Sequence, residues 1–335
     1  MRRGACDRIR HACVLNWGSN DRAPPETARS DAIGGAKALG ITFSAEVANR
    51  AGLASASQRH RSAPQLPVRS VFGEWLLLRE VPAGDGRSLG LSLARAEEVT
   101  RALRGALLSH ALDPPPAALS GHAPDGRRLE RPHAAFLALP DLGSRRESGN
   151  PITGVAIVLP RGIDPEGRQA ILLAAARWER SGLRLLLGRL GEMQLARLDG
   201  PATGGALDPK AWTRPSRRWA SVTPIALHQN PGNLTAHDPE VAARAARQAE
   251  EIITRGCAHI CLPLPTRVRV MRRSLFPGAP SAPAFMPYPR HASGPQCFRR
   301  VCVHAELEFA EPVEGPLLLG AGRYFGVGWC GPLRE

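Results

Sequence analysis

Hydrophobic and polar positions are unevenly organised along the chain. Up to about residue 66 the apolar residues follow no period, and stretches such as SNDRAPPETARSD and ASASQRHRSAPQLP are loop-like. Short helices are expected there near SAEVANRAGL, within a segment that otherwise packs poorly. From Val71 the pattern sharpens. VFGEWLLLREV is an apolar run of strand length. SLARAEEVTRALRGALLSHAL has helical spacing that puts Val99, Leu103, Leu107 and Leu108 on one face. The loop DPPPAALSGHAPDGRRLERPH, dense in proline, glycine and charge, leads to two further apolar runs, AAFLALPDL and ITGVAIVLPRG. Asp164 and Pro165 supply an N-cap and a first-turn proline for the helix PEGRQAILLAAARWERSG. LRLLLGRLGEMQLARLD then reads as a last strand or hairpin. The order β-α-β-β-α-β is that of the split, ferredoxin-like arrangement.

A second unit is expected beyond the linker GPATGGALDPKAWTRPS. RWASVTPIALHQ reads as a strand. Asp238, Pro239 and Glu240 repeat the capping chemistry and open PEVAARAARQAEEIITRG, with Gly256 as the expected stop. TRVRVMRRSLFPG is a basic strand. RRVCVHAELEFAEPV alternates, with Val301, Val303, Ala305, Leu307 and Phe309 on one face and Cys302, His304, Glu306 and Glu308 on the other. The expected fold class is therefore α+β: tandem ferredoxin-like domains over residues 67–200 and 201–335, after a poorly structured segment 1–66, with a glycine-rich loop near the C-terminus.

That loop, LLLGAGRYFGVGWC, carries Gly320, Gly322, Gly326 and Gly328 around Arg323, Tyr324 and Phe325. It is not a dinucleotide-binding turn, because three residues separate Gly322 from Gly326 and no helix with a following acid can form. It is not a P-loop, because no Gly-Lys is followed by Ser or Thr. Two readings fit its shape: backbone amides open to a phosphate, or a hairpin that only turns the chain.

Composition narrows the choice. The chain has 335 residues, of which 43% are hydrophobic, and no apolar run long enough to span a membrane. The basic N-terminus lacks the apolar stretch of a signal peptide. Seven scattered cysteines without a C-x-x-C pair fit reduced thiols in a cytoplasm. The net charge is +14, and only Lys37 and Lys210 of the 44 basic residues are lysines. Guanidinium forks match phosphate oxygens, and so large an excess of positive charge points to a polyanion, most often nucleic acid.

The motifs LSGHAPDGRRLERPHAAFLALPDLG, GVAIVLPRGIDPEGRQA, WTRPSRRWASVTPIAL and HAELEFAEPVEGPLLLGAGRYFGVG resemble, in order, the C-terminal part of a CRISPR-associated RAMP protein. The similar family is the subtype I-U (I-G) fusion, which joins a repeat-handle-binding half to a repeat-processing endoribonuclease half. The resemblance runs from about Val71 to Leu333, and residues 1–66 do not look like the family's N-terminal half, so a shortened remnant is expected there. What it implies is an RRM-like RAMP nuclease that cuts the precursor transcript within each repeat without metal or other cofactor. The 2′-hydroxyl would be the nucleophile, leaving a cyclic phosphate and a 5′-hydroxyl. Implied partners are the CRISPR repeat RNA, the mature guide RNA and other subunits of a type I interference complex, with no membrane. A non-catalytic guide-binding subunit and an inactive shortened copy stand as alternatives.

Such chemistry needs a proton acceptor, a proton donor and cations for the phosphate. His122 and His133 flank the loop after the first helix, where the family places its histidine, and are the candidate catalytic residues. Arg127, Arg128 and Arg131 lie between them and are candidate phosphate ligands, as are Arg217, Arg218 and Arg323 with the four glycines, while the Tyr324 ring is a candidate to stack on a base. Trp219 reads as core, and Arg267, Arg269, Arg272 and Arg273 as a solvated face. His304 with Glu306 and Glu308 reads as a solvated or hydrogen-bonded strand face, since two carboxylates repel RNA. CAHIC, Cys257 to Cys261, has no second pair at metal-site spacing and reads as structural.

Overall fold

A computed structural model describes residues 67–82, 86–141, 150–198, 205–285 and 300–334; the expectations for residues 1–66 lie outside it. In chain order the elements are β1 (Val68–Arg69), β2 (Phe72–Val81), α1 (Ala96–Ser109), α2 (Ala117–Ser120), β3 (Ala135–Pro140), β4 (Ile152–Pro160), α3 (Pro165–Arg180), β5 (Arg184–Leu186) and β6 (Glu192–Arg197). There follow α4 (Pro209–Thr213), β7 (Ser216–Ser221), β8 (Ile225–Ala226), α5 (Pro239–His259), β9 (Arg267–Met271), β10 (Cys302–Glu314), β11 (Leu317–Leu318) and β12 (Trp329–Pro332).

The first sheet has the order β3-β4-β2-β6-β5, with every pairing antiparallel. Its first and third strands are central and its second and fourth flank them, as the split β-α-β-β-α-β arrangement requires. Val99, Leu103 and Leu107 of α1 and Ile171, Ala174 and Trp178 of α3 are buried in its core. Leu108, on the edge of that apolar stripe, is only half-buried. Asp164 caps α3 by accepting from the amide of Gly167 at 2.6 Å, with Pro165 in the first turn.

The second sheet repeats the order. β9, β10, β7 and β12 lie side by side as second, third, first and fourth strands. β1, β8 and β11 extend it. α5 is the first crossover, capped by Asp238, whose carboxylate accepts from the Glu240 amide at 2.8 Å. The second crossover, where a helix is expected, is the glycine-rich stretch, which contains a single 3-10 turn at Arg323–Phe325. The fold is thus α+β with ferredoxin-like strand order in both sheets.

Three details differ from the sequence reading. α5 runs through Gly256 to His259, because Gly256 keeps a right-handed helical backbone and a Cβ there would meet nothing within 4 Å. The expected linker contains α4, whose Trp212 is buried and donates from Nε1 to the Ala206 carbonyl at 2.7 Å. The polar face of β10 is not open at His304, since residues 272–285 fold over it. His304 is fully buried, with Nδ1 at 3.0 Å from Ser221 Oγ and Nε2 donating to the Pro280 carbonyl at 3.0 Å. Burial holds its pKa below the usual range.

The two sheets share a core. Trp212, Val222, Phe285, Leu318 and Trp329, all C-terminal to residue 205, belong to the apolar cluster built on the first sheet. Polar ties cross the same seam. Asn150 Nδ2 donates to the Pro277 carbonyl at 2.9 Å, and Arg161 reaches Glu314 at 2.9 Å.

Candidate active site at the junction of the two sheets

The glycine-rich stretch is wedged between the sheets, and its glycines are set by what they touch. Gly320 has φ +78°, and a Cβ there would lie 2.5 Å from the Ala226 carbonyl oxygen. Gly326, at φ +67°, leaves 3.0 Å to the Phe136 carbonyl of β3. Gly328, at φ +87°, would overlap the Leu319 carbonyl oxygen with any side chain. A Cβ at Gly322 would meet Val327 at 2.7 Å. The amides of Ala321, Phe325 and Val327 donate within the protein, at 2.8 to 3.2 Å. Close packing therefore accounts for the four glycines, and the groups they bring to the junction are Arg323, Tyr324 and Phe325.

Tyr324 stacks on His133 with ring centroids 3.6 Å apart and planes 21° from parallel. Its other neighbour is Phe72, edge-on at 6.3 Å. Arg323 is buried, covers the Tyr324 ring at 4.6 Å and donates to the Gly320 carbonyl at 3.0 Å. Phe325 lies under Arg101 and Arg104 of α1, at 4.8 and 5.8 Å, and its carbonyl accepts from Thr100 Oγ1 at 2.8 Å.

His133 is half-buried at the entrance to β3. Its Nδ1 lies 3.0 Å from the Ala134 carbonyl, which can only accept, so Nδ1 carries the proton and neutral His133 presents a bare Nε2. Nε2 lies over Gly121, where a Cβ would come within 2.7 Å. Gly121 has φ +73° and ends α2, so it both turns the chain and leaves room for the imidazole. Burial, with the charges of Arg323, Arg104 and His122 also pressing against protonation, pushes the His133 pKa down to about 4.

His122 sits in a small exposed hairpin, paired across it with Arg128. Its Nδ1 donates to the Ser120 carbonyl at 3.0 Å, so its Nε2 too is the free nitrogen of the neutral ring. The same carbonyl accepts from Arg104 Nη2 at 2.5 Å. The structure therefore brings His122, His133, Arg323 and Tyr324 to one place, with Arg104 and Arg101 beside them.

The other candidates are distributed differently. Arg127 pairs with Asp125 at 2.6 Å, and Arg131 with the α3 cap Asp164 at 3.3 Å. Arg218 is on the second sheet, 2.5 Å from Glu306, and Arg269 holds the other oxygen of that carboxylate at 2.7 Å. Burial raises the Glu306 pKa, but the two guanidinium bonds outweigh it and hold the carboxyl below its usual range. Arg217 lies 3.9 Å from Glu311 on the exposed rim. Trp219 is fully buried. Burial pushes the Cys257 thiol up to about 12, which leaves a neutral, packed side chain. Among the described residues no group of three His, Cys, Asp or Glu side chains could hold a metal ion, and no helix is long and apolar enough to cross a membrane.

Sequence reasoning missed Arg101 and Arg104. Their spacing of three on the polar side of α1 was a visible signal. It also passed over His228 and His259, which lie 31 positions apart by number and approach only through the fold, with ring centroids 6.1 Å apart.

Residues 89–332 match the model of the CRISPR-associated protein, GSU0054 family. No curated protein matches the chain. Among solved structures the chain is similar to Csf5, described as a CRISPR-Cas type IV Cas6 crRNA endonuclease. That match has 16% identity and a TM-score of 0.35, and covers 78% of this chain and 100% of that one.

Proposed function

The chain belongs to the CRISPR-associated GSU0054 family, and from that premise we propose that it is an endoribonuclease that cuts the precursor CRISPR transcript within its repeats. We assign it to the repeat-processing half of the subtype I-U (I-G) fusion, acting in the cytoplasm and retaining the guide for a type I interference complex. Residues 67–200 and 201–335 are its two domains.

The step is a transesterification without a metal ion. His133 Nε2 removes the proton of a ribose 2′-hydroxyl. The 2′-oxygen attacks the adjacent phosphorus, the bond from phosphorus to the 5′-oxygen breaks, and protonated His122 donates to that oxygen. A 2′,3′-cyclic phosphate and a 5′-hydroxyl result. Arg323 and Arg104 neutralise the phosphate, and Tyr324 fixes the base imidazole and offers its edge to a nucleobase. Arg127, Arg128, Arg131, Arg217 and Arg218 guide the flanking strand, as does the backbone around Gly320, Gly322, Gly326 and Gly328. A phosphate bound on Arg323 and Arg104 relieves their pressure on His133 and lifts its proton affinity toward the working range.

The observation that supports this reading is the stacking of His133 on Tyr324 under Arg323, an imidazole and a guanidinium on one ring. It is tested with repeat RNA in EDTA. Cleavage should persist in wild type and fall by about 10²- to 10⁴-fold in His133→Ala and His122→Ala. Loss of cleavage on chelation, or equal cutting of a substrate with deoxyribose at the scissile position, overturns it. The depth of His133 favours one second reading, a guide-holding subunit that binds the same RNA without cutting it. Tight binding with no product from wild type selects that alternative.

A further inference from the structure

The flank of the glycine-rich stretch that meets β8 carries a second set of basic side chains. There Ala226, at the end of β8, accepts from the Ala321 amide at 2.9 Å and leaves no room for a side chain at Gly320. The chain then runs directly to Leu227 and His228. Both of their carbonyls accept from Arg300 Nη1, at 3.4 and 3.1 Å, and the Leu227 amide donates to the Val301 carbonyl at 2.9 Å. His228 is half-buried, and its ring lies 6.1 Å from that of His259 at the end of α5. Arg255, one helical turn before His259, is exposed.

This cluster differs in its surroundings from several other arginines of the protein. Arg101, Arg127, Arg131, Arg218 and Arg269 each pair with a carboxylate. Among the described residues, His228, His259, Arg255 and Arg300 form no ion pair with one. The charged groups that face His228 are His259 and Arg255 from α5, Arg300 from the segment before β10, and Arg323 from the glycine-rich stretch. Burial first, and then the proximity of these groups, hold its pKa below the usual range. Arg323 presses in the same way on His133, so the charge of one guanidinium acts on an imidazole from each half of the molecule. Arg255 and Arg300, set beside the half-buried His228 ring and its neighbour His259 without an ion-paired carboxylate among the described residues, favour an anion there.

We infer that His228, His259, Arg255 and Arg300 form a binding site for a backbone phosphate of an RNA strand, separate from the phosphate that is cut at His133. Together with Arg323 it sets a track over the glycine-rich stretch along which successive phosphates are held. The inference rests on the proposed function only in taking RNA as the source of the phosphate; it requires no cleavage.

The test is binding of a fluorescein-labelled oligouridylate with 2′-O-methyl riboses, which cannot be cut, over a range of salt concentrations. The triple variant His228→Gln, His259→Gln, Arg255→Ala should bind about tenfold more weakly, and the slope of log affinity against log salt should shrink by about 1 for each phosphate the protein no longer neutralises. Arg180→Ala, an exposed arginine of α3, should change neither by a comparable amount. Wild-type affinity and slope in the triple variant overturn the proposal. Should that variant not fold, inorganic phosphate is titrated into the wild-type protein while histidine ring protons are followed by NMR. Movement of the His228 and His259 signals supports the site, and stationary signals overturn it. His133→Ala should slow cutting of repeat RNA by about the same 10²- to 10⁴-fold yet leave the uncleavable strand bound through this cluster. Failure of the nuclease reading is thereby told apart from failure of this one.

Discussion

At the scale of single residues, the decisive feature is the proton on His133. A carbonyl takes Nδ1–H, burial and neighbouring cations disfavour a second proton, and the ring is neutral at physiological pH. An NMR titration of the free protein should give a His133 pKa near 4. Because Arg104 contributes to that depression, Arg104→Gln should move the value upward, and no movement would mean that its charge does not reach the ring. If His133 is the base of the proposed function, the acid limb of kcat/KM, where it gains its proton, should move up with it. The sequence makes His133, Arg323 and Tyr324 legible as separate candidates by residue type and position. It does not show that they touch, since stacking across nearly two hundred positions depends on tertiary packing. The two histidines do differ in sequence context, His122 in the polar turn SGHAPDG and His133 after Pro132 at the start of a strand, and the first is exposed and the second half-buried.

At the scale of elements, local rules read well and contextual ones did not. Proline after aspartate located the starts of α3 and α5, because the N-cap and first turn are decided within a few residues. Gly256 misled because a glycine near the end of a periodic run resembles a C-cap, whereas packing of Ile252, Ile253 and Cys257 carries α5 onward. Gly256→Ala should therefore stabilise the protein by about 0.5–1 kcal/mol in urea denaturation, as for a glycine inside a helix. Destabilisation would show that a left-handed backbone is needed there. Gly328→Ala should do the reverse, with a loss of about 3 kcal/mol or more, since φ +87° and the Leu319 carbonyl both exclude a side chain. The alternation of β10 marked its two faces correctly but not the cover over His304, which comes from a segment without hydrophobic periodicity.

For the whole molecule, the tandem strand order follows from the sequence of elements, and the shared core between the sheets does not. Three imidazoles are half-buried or buried, and loss of solvent is the first cause of lowered proton affinity at His133, His228 and His304. The unfolded chain binds protons to these rings below about pH 6.5, and the folded chain resists doing so. Stability should thus decline as pH falls from about 6.5 toward 4, by about 2–3 kcal/mol for His133 after allowance for its partial exposure. Urea midpoints across that range should drop less in His133→Gln than in wild type, and an unchanged slope would remove His133 from the account.

The stack of His133 on Tyr324 has a consequence for the making of the protein. Translation emits the histidine long before the tyrosine and its adjoining guanidinium, so an unfinished polypeptide still on the ribosome holds an imidazole with nothing to orient it. On the proposed function the nuclease is armed only by completion: a fragment broken off early in synthesis would be harmless to cellular transcripts, and competence to cut would arrive in one step when the two sheets close on the late-emerging glycine segment.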